Sequence, residues 1–333
     1  MGDLVLVTEA EYRKAEAVFR GASGAVFEAA PAEEAALAQR VSARGARVVV
    51  VGVAPYVGPL YESLGAQGGG LIARFGVGHD NVSKPLAQRH GVRVANTPGV
   101  LDGSVAEHAM WLMGCMARRI SRLEAAFRAG QFAGETGFEL CGRTLGILGF
   151  GNIGRRVAAM AHFGFGMRVV AGDNRAPAEI EGREGRPLED ILVESGTEEY
   201  TTDIEAVFRG ADVLSVHLPV TPATLRFINR ERLSWMRRGA MVVNTARGAV
   251  IDEVALHDAL AAGALGGAGL DVFENEPYQP VHPDKDLRRL PNVVLTPHVG
   301  SNTVEANRRM GEACVLNAAH FLAGRIDQLS LVG

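Results

Sequence analysis

The sequence predicts an α/β protein of two doubly wound parallel-sheet domains, the second inserted into the first. Three observations predict it. Short β-branched runs alternate with helix-like segments, a pattern that covers a parallel sheet with helices on both faces. That alternation occurs twice, with an unusually apolar helix between the two series. A last helical segment follows the second series, and its most economical place is back against the first. The expected division is residues 1–99 with 300–333 in one domain and 100–299 in the other. At 333 residues and 47% hydrophobic content, the chain is too large for one ordinary core.

In the first series, residues 4–8, 48–53, 71–75 and 92–95 read as strands, each a compact apolar run bounded by Gly, Pro or charge. Residues 9–19 and 32–43 read as the helices between them. Asp102-Gly103-Ser104 then offers a helix start, and Val105, Ala109, Leu112, Met113 and Met116 follow on one apolar pattern. So apolar a helix needs a large packing partner, and a homodimer is the expectation drawn from it. The second series begins at Thr144 and includes strands at 169–171, 213–217, 241–244, 266–271 and 293–296. The acid-rich stretch 182–202 reads as a surface excursion, and 303–322 as the final helix.

Charge and cysteines exclude several classes. With 34 basic and 38 acidic side chains, the formal net charge is -4, which gives no non-specific hold on nucleic acid or acidic membranes. Cys115, Cys141 and Cys314 are scattered and lack metal-like spacing, as expected for reduced thiols and no metal site. The amino terminus runs straight into a strand-like segment without a basic leader, and no apolar stretch reaches bilayer length. A cytoplasmic setting is expected.

The chemistry starts at Gly149-Phe150-Gly151-Asn152-Ile153-Gly154. Glycine-rich turns are common, so the context decides: Leu145–Leu148 is a buried-strand run leading in, a helix leads out, and the next strand ends at Asp173. Gly149 permits the tight turn, Gly151 lets backbone approach a pyrophosphate, and Gly154 lets the helix pack on the strand. The helix start offers N–H groups and a positive dipole end to phosphates. Asp173, about twenty residues on, can accept hydrogen bonds from ribose hydroxyls and would repel a 2′-phosphate. This favours a Rossmann domain that binds NAD over NADP, although Arg175 could swing toward a phosphate.

Three further segments follow strand-like runs, where parallel strands deliver side chains to a ligand crevice. They are Asn244-Thr245-Ala246-Arg247-Gly248, Asp271-Val272-Phe273-Glu274-Asn275-Glu276-Pro277 and Thr296-Pro297-His298-Val299-Gly300. An arginine, a carboxylate and a histidine are the set that reduction of a 2-oxo acid needs. Arginine engages a carboxylate and carbonyl with two donors. Histidine exchanges the carbonyl proton while hydride moves, and a carboxylate orients its ring. His217, ending its strand, points to the same crevice and could support the cofactor. His90, His162, His257 and His320 sit where a structural role is the simpler reading, and His282 reads as a loop residue.

At this point the sequence resembles the D-isomer-specific 2-hydroxyacid dehydrogenases, a family that includes phosphoglycerate, glyoxylate/hydroxypyruvate and D-lactate dehydrogenases. The resemblance runs in order through Ala73-Arg74-Phe75-Gly76-Val77-Gly78-His79-Asp80-Asn81-Val82, Asn96-Thr97-Pro98-Gly99, the glycine motif, Val216-His217-Leu218-Pro219 and the three segments above. It implies a flavodoxin-like substrate domain with the NAD-binding Rossmann domain inserted in it. It also implies Arg247 for substrate binding, Glu276 as the histidine's partner and His298 as the proton donor, with Glu276 preferred to Glu274 because the family's acid directly precedes the proline. By the same resemblance, Gly149, Gly151, Asn152, Ile153, Gly154, Asp173, His217, Pro219, Thr245, Ala246, Arg247, Asp271, His298 and Gly300 meet the cofactor. Asp271 would hold the nicotinamide amide, and backbone amides at Val77 and Gly78 the substrate carboxylate.

The sequence departs from the family pattern in places. Phe163-Gly164-Phe165-Gly166 carries one residue more than usual before the second strand, and the chain ends without the regulatory domains of many phosphoglycerate dehydrogenases. The expected reaction interconverts a 2-oxo acid and a D-2-hydroxy acid, of hydroxypyruvate/glyoxylate or 3-phosphoglycerate type, with domain closure about a small substrate. The alternative is an NAD(H)-responsive regulatory binding protein of the corepressor type, which keeps the same three residues. Arg74 and His79 could meet a substrate phosphate or simply face solvent.

Overall fold

The computed structural model describes residues 3–332. They form two compact units, one of residues up to Leu101 together with those from Ser301 onward, the other of Asp102–Gly300. Each is a parallel sheet covered by helices, the α/β architecture that the alternating sequence dictates.

The first unit holds β1 (Asp3–Thr8), β2 (Ala25–Ala30), β3 (Val48–Val51), β4 (Gly70–Arg74) and β5 (Val92–Ala95), in the order β2-β1-β3-β4-β5. This is the flavodoxin-like order. Its centre is Val48–Val51, four valines with no exposed surface, as a strand buried on both faces requires. The strand ends two residues sooner than the expected 53, just before Gly52, which sits against the Glu11 carboxylate where a Cβ would collide. Residues 9–19 are two helices rather than one, Glu9–Lys14 and Glu16–Gly21, separated by the non-helical Ala15 (φ −132°, ψ 34°). Strand β2 was not legible: its alanines and central Glu28 lack a β-branched run.

Helix Val304–Leu322, capped by the Thr303 side chain at Ala306 N, packs on β4 and on helix Glu16–Gly21 of the same unit. Gly311 makes the approach possible, since a Cβ there would come within 2.7 Å of Ala15 Cβ. Asn317 on its buried face donates to Asn96 O (3.1 Å) and accepts from Ser330 N (3.1 Å), tying the end of β5 to the tail.

The second unit holds seven parallel strands: β6 (Thr144–Leu148), β7 (Arg168–Gly172), β8 (Glu199–Thr201), β9 (Val213–Val216), β10 (Met241–Asn244), β11 (Gly267–Leu270) and β12 (Val293–Leu295). Their order, β12-β11-β10-β9-β6-β7-β8, reverses between β6 and β9. That reversal is the topological switch point where doubly wound folds bind ligands. Two apolar clusters cover the two faces of the sheet, one around Met113, Ile147 and Val157, the other around Phe208, Val242 and Leu256.

Three expectations change in this unit. The acid-rich 182–202 stretch is not a bare surface excursion: helix Pro177–Glu184, helix Leu188–Ser195 and β8 occupy it, and Ile180, Leu188 and Ile191 join the core. Leu188 and Ile191, three apart on one helix, were hidden among the acids, and Ile180 lies just before the stretch. The helix after Gly151 does not run evenly to His162, because Met160–Gly164 is a π-turn. A π-turn takes up one extra residue, which gives the added residue before β7 a place in the fold. Helix Asp102–Ala117 spends its apolar pattern inside its own unit: Val105, Ala109, Leu112, Met113 and Met116 are all buried. Its apolarity is therefore no evidence for a partner. Among the described residues no helix is long and apolar enough to cross a membrane.

Candidate active site

The glycine turn follows β6 at the switch point. Gly149 has φ 95°, donates to Gly172 O (2.8 Å), and leaves only 2.6 Å between an added Cβ and His217 O. Gly154 faces Gly149 O so closely that a Cβ cannot fit. Gly151 is extended (φ −88°, ψ −169°) and begins helix Asn152–Ala159, with open space where its Cβ would lie. A close-packed turn behind and an open backbone edge at a helix start is the shape that a pyrophosphate needs. These residues fit a dinucleotide.

Asp173 ends the β7 excursion, 5% exposed. Its Oδ2 accepts from Phe150 N (2.8 Å), and Arg175 donates from Nε to Oδ1 (2.9 Å) and from Nη2 to Oδ2 (2.5 Å). Burial would raise this carboxyl, but the Arg175 guanidinium and the Phe150 amide hold it below the usual carboxylate range. Arg175 is thus committed to Asp173, and its main-chain oxygen is taken by Tyr200 Oη (2.5 Å). In the structure it pairs with Asp173 rather than extending toward a 2′-phosphate position. Asn152 accepts from Arg155 Nη2 (2.9 Å), which also binds Glu184 (3.1 Å).

His217 lies just past β9, with Nε2 2.9 Å from Ser215 Oγ. Burial pushes its pKa down to about 3, so the ring is neutral and carries no proton to a substrate at neutral pH. Its main chain walls the glycine turn. Pro219 is exposed and accepts from Thr224 Oγ1 (2.5 Å) through its carbonyl.

Beyond β10, Asn244 shapes the arginine turn: Nδ2 donates to Arg247 O (2.9 Å), and Oδ1 accepts from Ala246 N (3.0 Å). Arg247 is half-buried and donates to Ala246 O (2.7 Å). Thr245 beside it buries an Oγ1 that has no hydrogen-bond partner. Gly248 presses against the main chain of Phe273, where no Cβ could fit, so this turn interlocks with the one after β11.

Asp271 and His298 follow β11 and β12, adjacent strands beside β10. Asp271 is 1% exposed and organises the histidine turn. Its main-chain oxygen accepts from His298 N (2.8 Å); Oδ1 accepts from Thr296 Oγ1 (2.6 Å) and Val299 N (2.8 Å), and Oδ2 from Gly300 N (2.8 Å). Burial works against the charge, yet these donors, with His108 Nε2 at 3.4 Å, hold the carboxyl below its ordinary value. His298 is kept at φ 53°, a left-handed conformation rare outside glycine and maintained by the surrounding bonds. Its Nδ1 is 2.6 Å from Glu276 Oε2, and Glu276 Oε1 accepts from Phe273 N (3.0 Å). The carboxylate assigns the ring hydrogen to Nδ1, leaving Nε2 as the nitrogen that can exchange a proton. Both side chains are partly open to solvent, at 26% and 30%.

Glu276 and His298 are therefore in direct contact, and Arg247 stands at the same carboxyl edge of the sheet. Val77 and Gly78 belong to the first unit, on the half-buried turn after β4, where Asn96 Nδ2 donates to Val77 O (2.8 Å). Arg74 does not face solvent: it is 5% exposed, and Nη1 donates to Phe75 O. Sequence reasoning missed His108 and Ser104, on helix Asp102–Ala117. His108 Nε2 is 2.9 Å from Thr296 Oγ1, and Ser104 Oγ donates to Gly300 O (2.8 Å). Two polar residues on the buried side of an apolar helix were the available signal.

Residues 110–300 match the family model described as D-isomer specific 2-hydroxyacid dehydrogenase, NAD binding domain. A hydroxypyruvate reductase of Thermotoga maritima is 43% identical over 247 residues, 72% of this chain and 74% of that protein. A glyoxylate reductase of Pyrococcus furiosus is 40% identical over 268 residues, 77% of this chain and 74% of its own length. Among solved structures, D-lactate dehydrogenase from Aquifex aeolicus, complexed with NAD and lactic acid, aligns over 98% of both chains with a TM-score of 0.81 and 28% identity.

Proposed function

The chain belongs to the D-isomer-specific 2-hydroxyacid dehydrogenase family and is an NAD-dependent oxidoreductase of 2-hydroxy acids; within that chemistry we propose that it reduces glyoxylate and hydroxypyruvate. The observation that carries the chemical part is the 2.6 Å contact between His298 Nδ1 and Glu276 Oε2. Support for the substrate comes from the names of the two sequence relatives. That both are reductases also weighs against the regulatory binding protein.

In this reading NAD, when bound, supplies or takes up the hydride. Asp173, the amides after Gly151, and the Thr245–Arg247 turn hold it, with Ile153, Pro219, Asp271 and Gly300 beside them. Arg247 engages the substrate carboxylate and polarises the carbonyl with its paired donors. The family resemblance supports the amides of Val77 and Gly78 as further donors to the substrate carboxylate. His298 gives its Nε2 proton to the carbonyl oxygen in reduction and recovers it in oxidation. Glu276 keeps the ring oriented and stabilises the imidazolium. Asp271 holds the left-handed turn that aims His298.

His298→Asn removes the proton donor and is expected to lower kcat/KM about 10²–10⁴-fold on glyoxylate and hydroxypyruvate with NADH. Retention of most activity would sink the acid–base assignment. In the parent, kcat/KM for 3-phosphohydroxypyruvate or pyruvate above that for both proposed substrates would overturn the substrate reading.

The reading includes a cytoplasmic homodimer. Its support moves away from helix Asp102–Ala117 to the residues beyond it. Helix Ile120–Arg128 buries none of its residues, and the aromatics Phe127 and Phe132 are 64% and 95% exposed. Aromatic surface of this kind is what an interface covers. Sedimentation at micromolar concentration should give twice the chain mass; a monomer refutes the dimer.

A further inference from the structure

The turn that presents Glu276 is anchored from a helix that the reaction does not otherwise use. Helix Glu253–Ala261 is capped by Asp252, whose Oδ1 accepts from Ala255 N (3.0 Å). Its first residue, Glu253, points inward and is 5% exposed. Glu253 Oε1 accepts from Glu274 N (2.5 Å), and Glu274 Oε1 accepts from Glu253 N (3.1 Å). The two residues thus exchange side-chain-to-backbone bonds across the gap between helix and turn. The second oxygen of Glu274 is held by Arg226 through Nη2 (2.8 Å) and Nε (3.2 Å). Two residues on, Glu276 spans Phe273 N and His298 Nδ1.

We infer that Glu253 is a positioning residue for the acid–base pair, fixing through the Glu274 main chain the turn from which Glu276 reaches His298, and coupling its own proton to that pair. The inference rests on the acid–base reading of Glu276 and His298. An acid in a first helical turn ordinarily complements the helix dipole from the surface. Glu253 is buried instead, which is unfavourable for a charge and not needed for the dipole. What the burial secures is the bond to Glu274 N.

The charges around it make the anchor sensitive to protons. Glu274 and Glu276 face Glu253 from the turn, Tyr278 lies beyond them, Asp252 precedes it on its own element, and Arg226 supplies the cation on Glu274. Burial first, then the Glu274 and Glu276 charges, push the Glu253 carboxyl up to about 7, against the lowering bond from the Glu274 amide. Below that pH Glu253 is neutral and the exchange with Glu274 is undisturbed. Above it, three carboxylates face one another, and the added negative charge acts on Glu276 and, through it, on His298.

The test compares Glu253→Gln and Glu253→Ala in the intact chain, by pH profiles of NADH-linked glyoxylate reduction and by proton and nitrogen spectra of the His298 ring. Gln keeps an acceptor oxygen for Glu274 N and cannot ionise; Ala removes both. Glu253→Ala should lower kcat about ten-fold, the scale of a small misplacement, with KM for NADH within two-fold of the parent. Glu253→Gln should restore kcat at pH 6.5 and shift the limb of the profile near neutrality. The His298 Nδ1–H resonance should persist in Gln and be lost or broadened in Ala. A folded Glu253→Ala with kcat within two-fold of the parent overturns the positioning role, and a Glu253→Gln profile superimposable on the parent's overturns the proton coupling. Should Glu253→Ala not fold, Glu253→Met, which fills the space but lacks the acceptor, decides the positioning role by the same kcat criterion, and Glu253→Gln the proton coupling. His298→Asn is run alongside. Activity surviving that change removes the acid–base reading itself, whereas an inactive His298→Asn with unmoved Glu253 variants removes only the role of Glu253.

Discussion

Two turns of the second unit carry the two members of the proposed acid–base pair, and they are built on opposite electrostatics. The turn of His298 is organised around one buried carboxylate, Asp271, that is surrounded by donors: a hydroxyl, two amides and a nearby imidazole. The turn of Glu276 is organised around acids that face acids, Glu253 against Glu274 and Glu276, with Arg226 on the outer side of Glu274. In the first, charge is stabilised by its surroundings and Asp271 stays ionised through the neutral range. In the second, charge is disfavoured and Glu253 sits near its midpoint at neutrality. One residue is held firmly in place while its partner's support responds to pH. On the coupling proposed above, the hydrogen-bonded pair would inherit a pH response from a residue that never touches a substrate.

The comparison is broken most severely at Asp271. Asp271→Asn keeps the size but replaces one acceptor with an NH₂ group that meets Val299 N or Gly300 N donor to donor. A buried amide left without its acceptor loses about 1–3 kcal/mol, and more where the acceptor was charged. Urea unfolding should therefore show a loss of about 3 kcal/mol or more at pH 7. The His298 turn, held at φ 53° by these bonds, should relax, and kcat/KM should fall at least as far as in Glu253→Ala. A stability change under about 1 kcal/mol would mean that the donors around Asp271 find other partners, and the contrast between the turns would collapse.

How much of this was legible depends on how far each feature reaches along the chain. The glycine turn was readable because its parts are local: strand, three glycines, helix and Asp173 lie within one βαβ unit. Glu276 and His298 were readable as residue types at strand ends, and their contact follows from the adjacency of β11 and β12. The supports were not readable. His108 meets Thr296 across 188 positions, and Ser104 meets Gly300 across 196, so nothing local marks either as part of the site. Glu253 looks from sequence like an ordinary helix-start acid, and only its burial distinguishes it. The same limit explains Asp173: its spacing suggested a ribose ligand, but its pairing with Arg175 is a matter of side-chain geometry. In the fold, strand β2 and the helices within 182–202 were lost because alanine and acid outweighed apolar periodicity.

The smallest effect predicted runs in the opposite direction and sharpens the comparison most. A carboxyl whose folded pKa lies above its unfolded value makes folding less favourable as pH rises between the two, because the folded state holds the proton that the unfolded state has released. For Glu253 these values are about 7 and the ordinary 4.5, a difference of about 3 kcal/mol at most once both states are ionised. Asp271 has the reverse sign: its folded pKa is depressed, so its contribution is fully present above the unfolded value and fades only as pH falls through the folded one. Glu253→Gln cannot ionise and so lacks the decline. Relative to the parent it should gain about 1 kcal/mol at pH 5, most of the rest by pH 7, and level off at about 3 kcal/mol toward pH 9. Chemical unfolding of both proteins across pH 5–9 reads this directly. A difference that stays flat over that range would mean that Glu253 is ionised throughout, and the two turns would then differ in architecture but not in their response to protons.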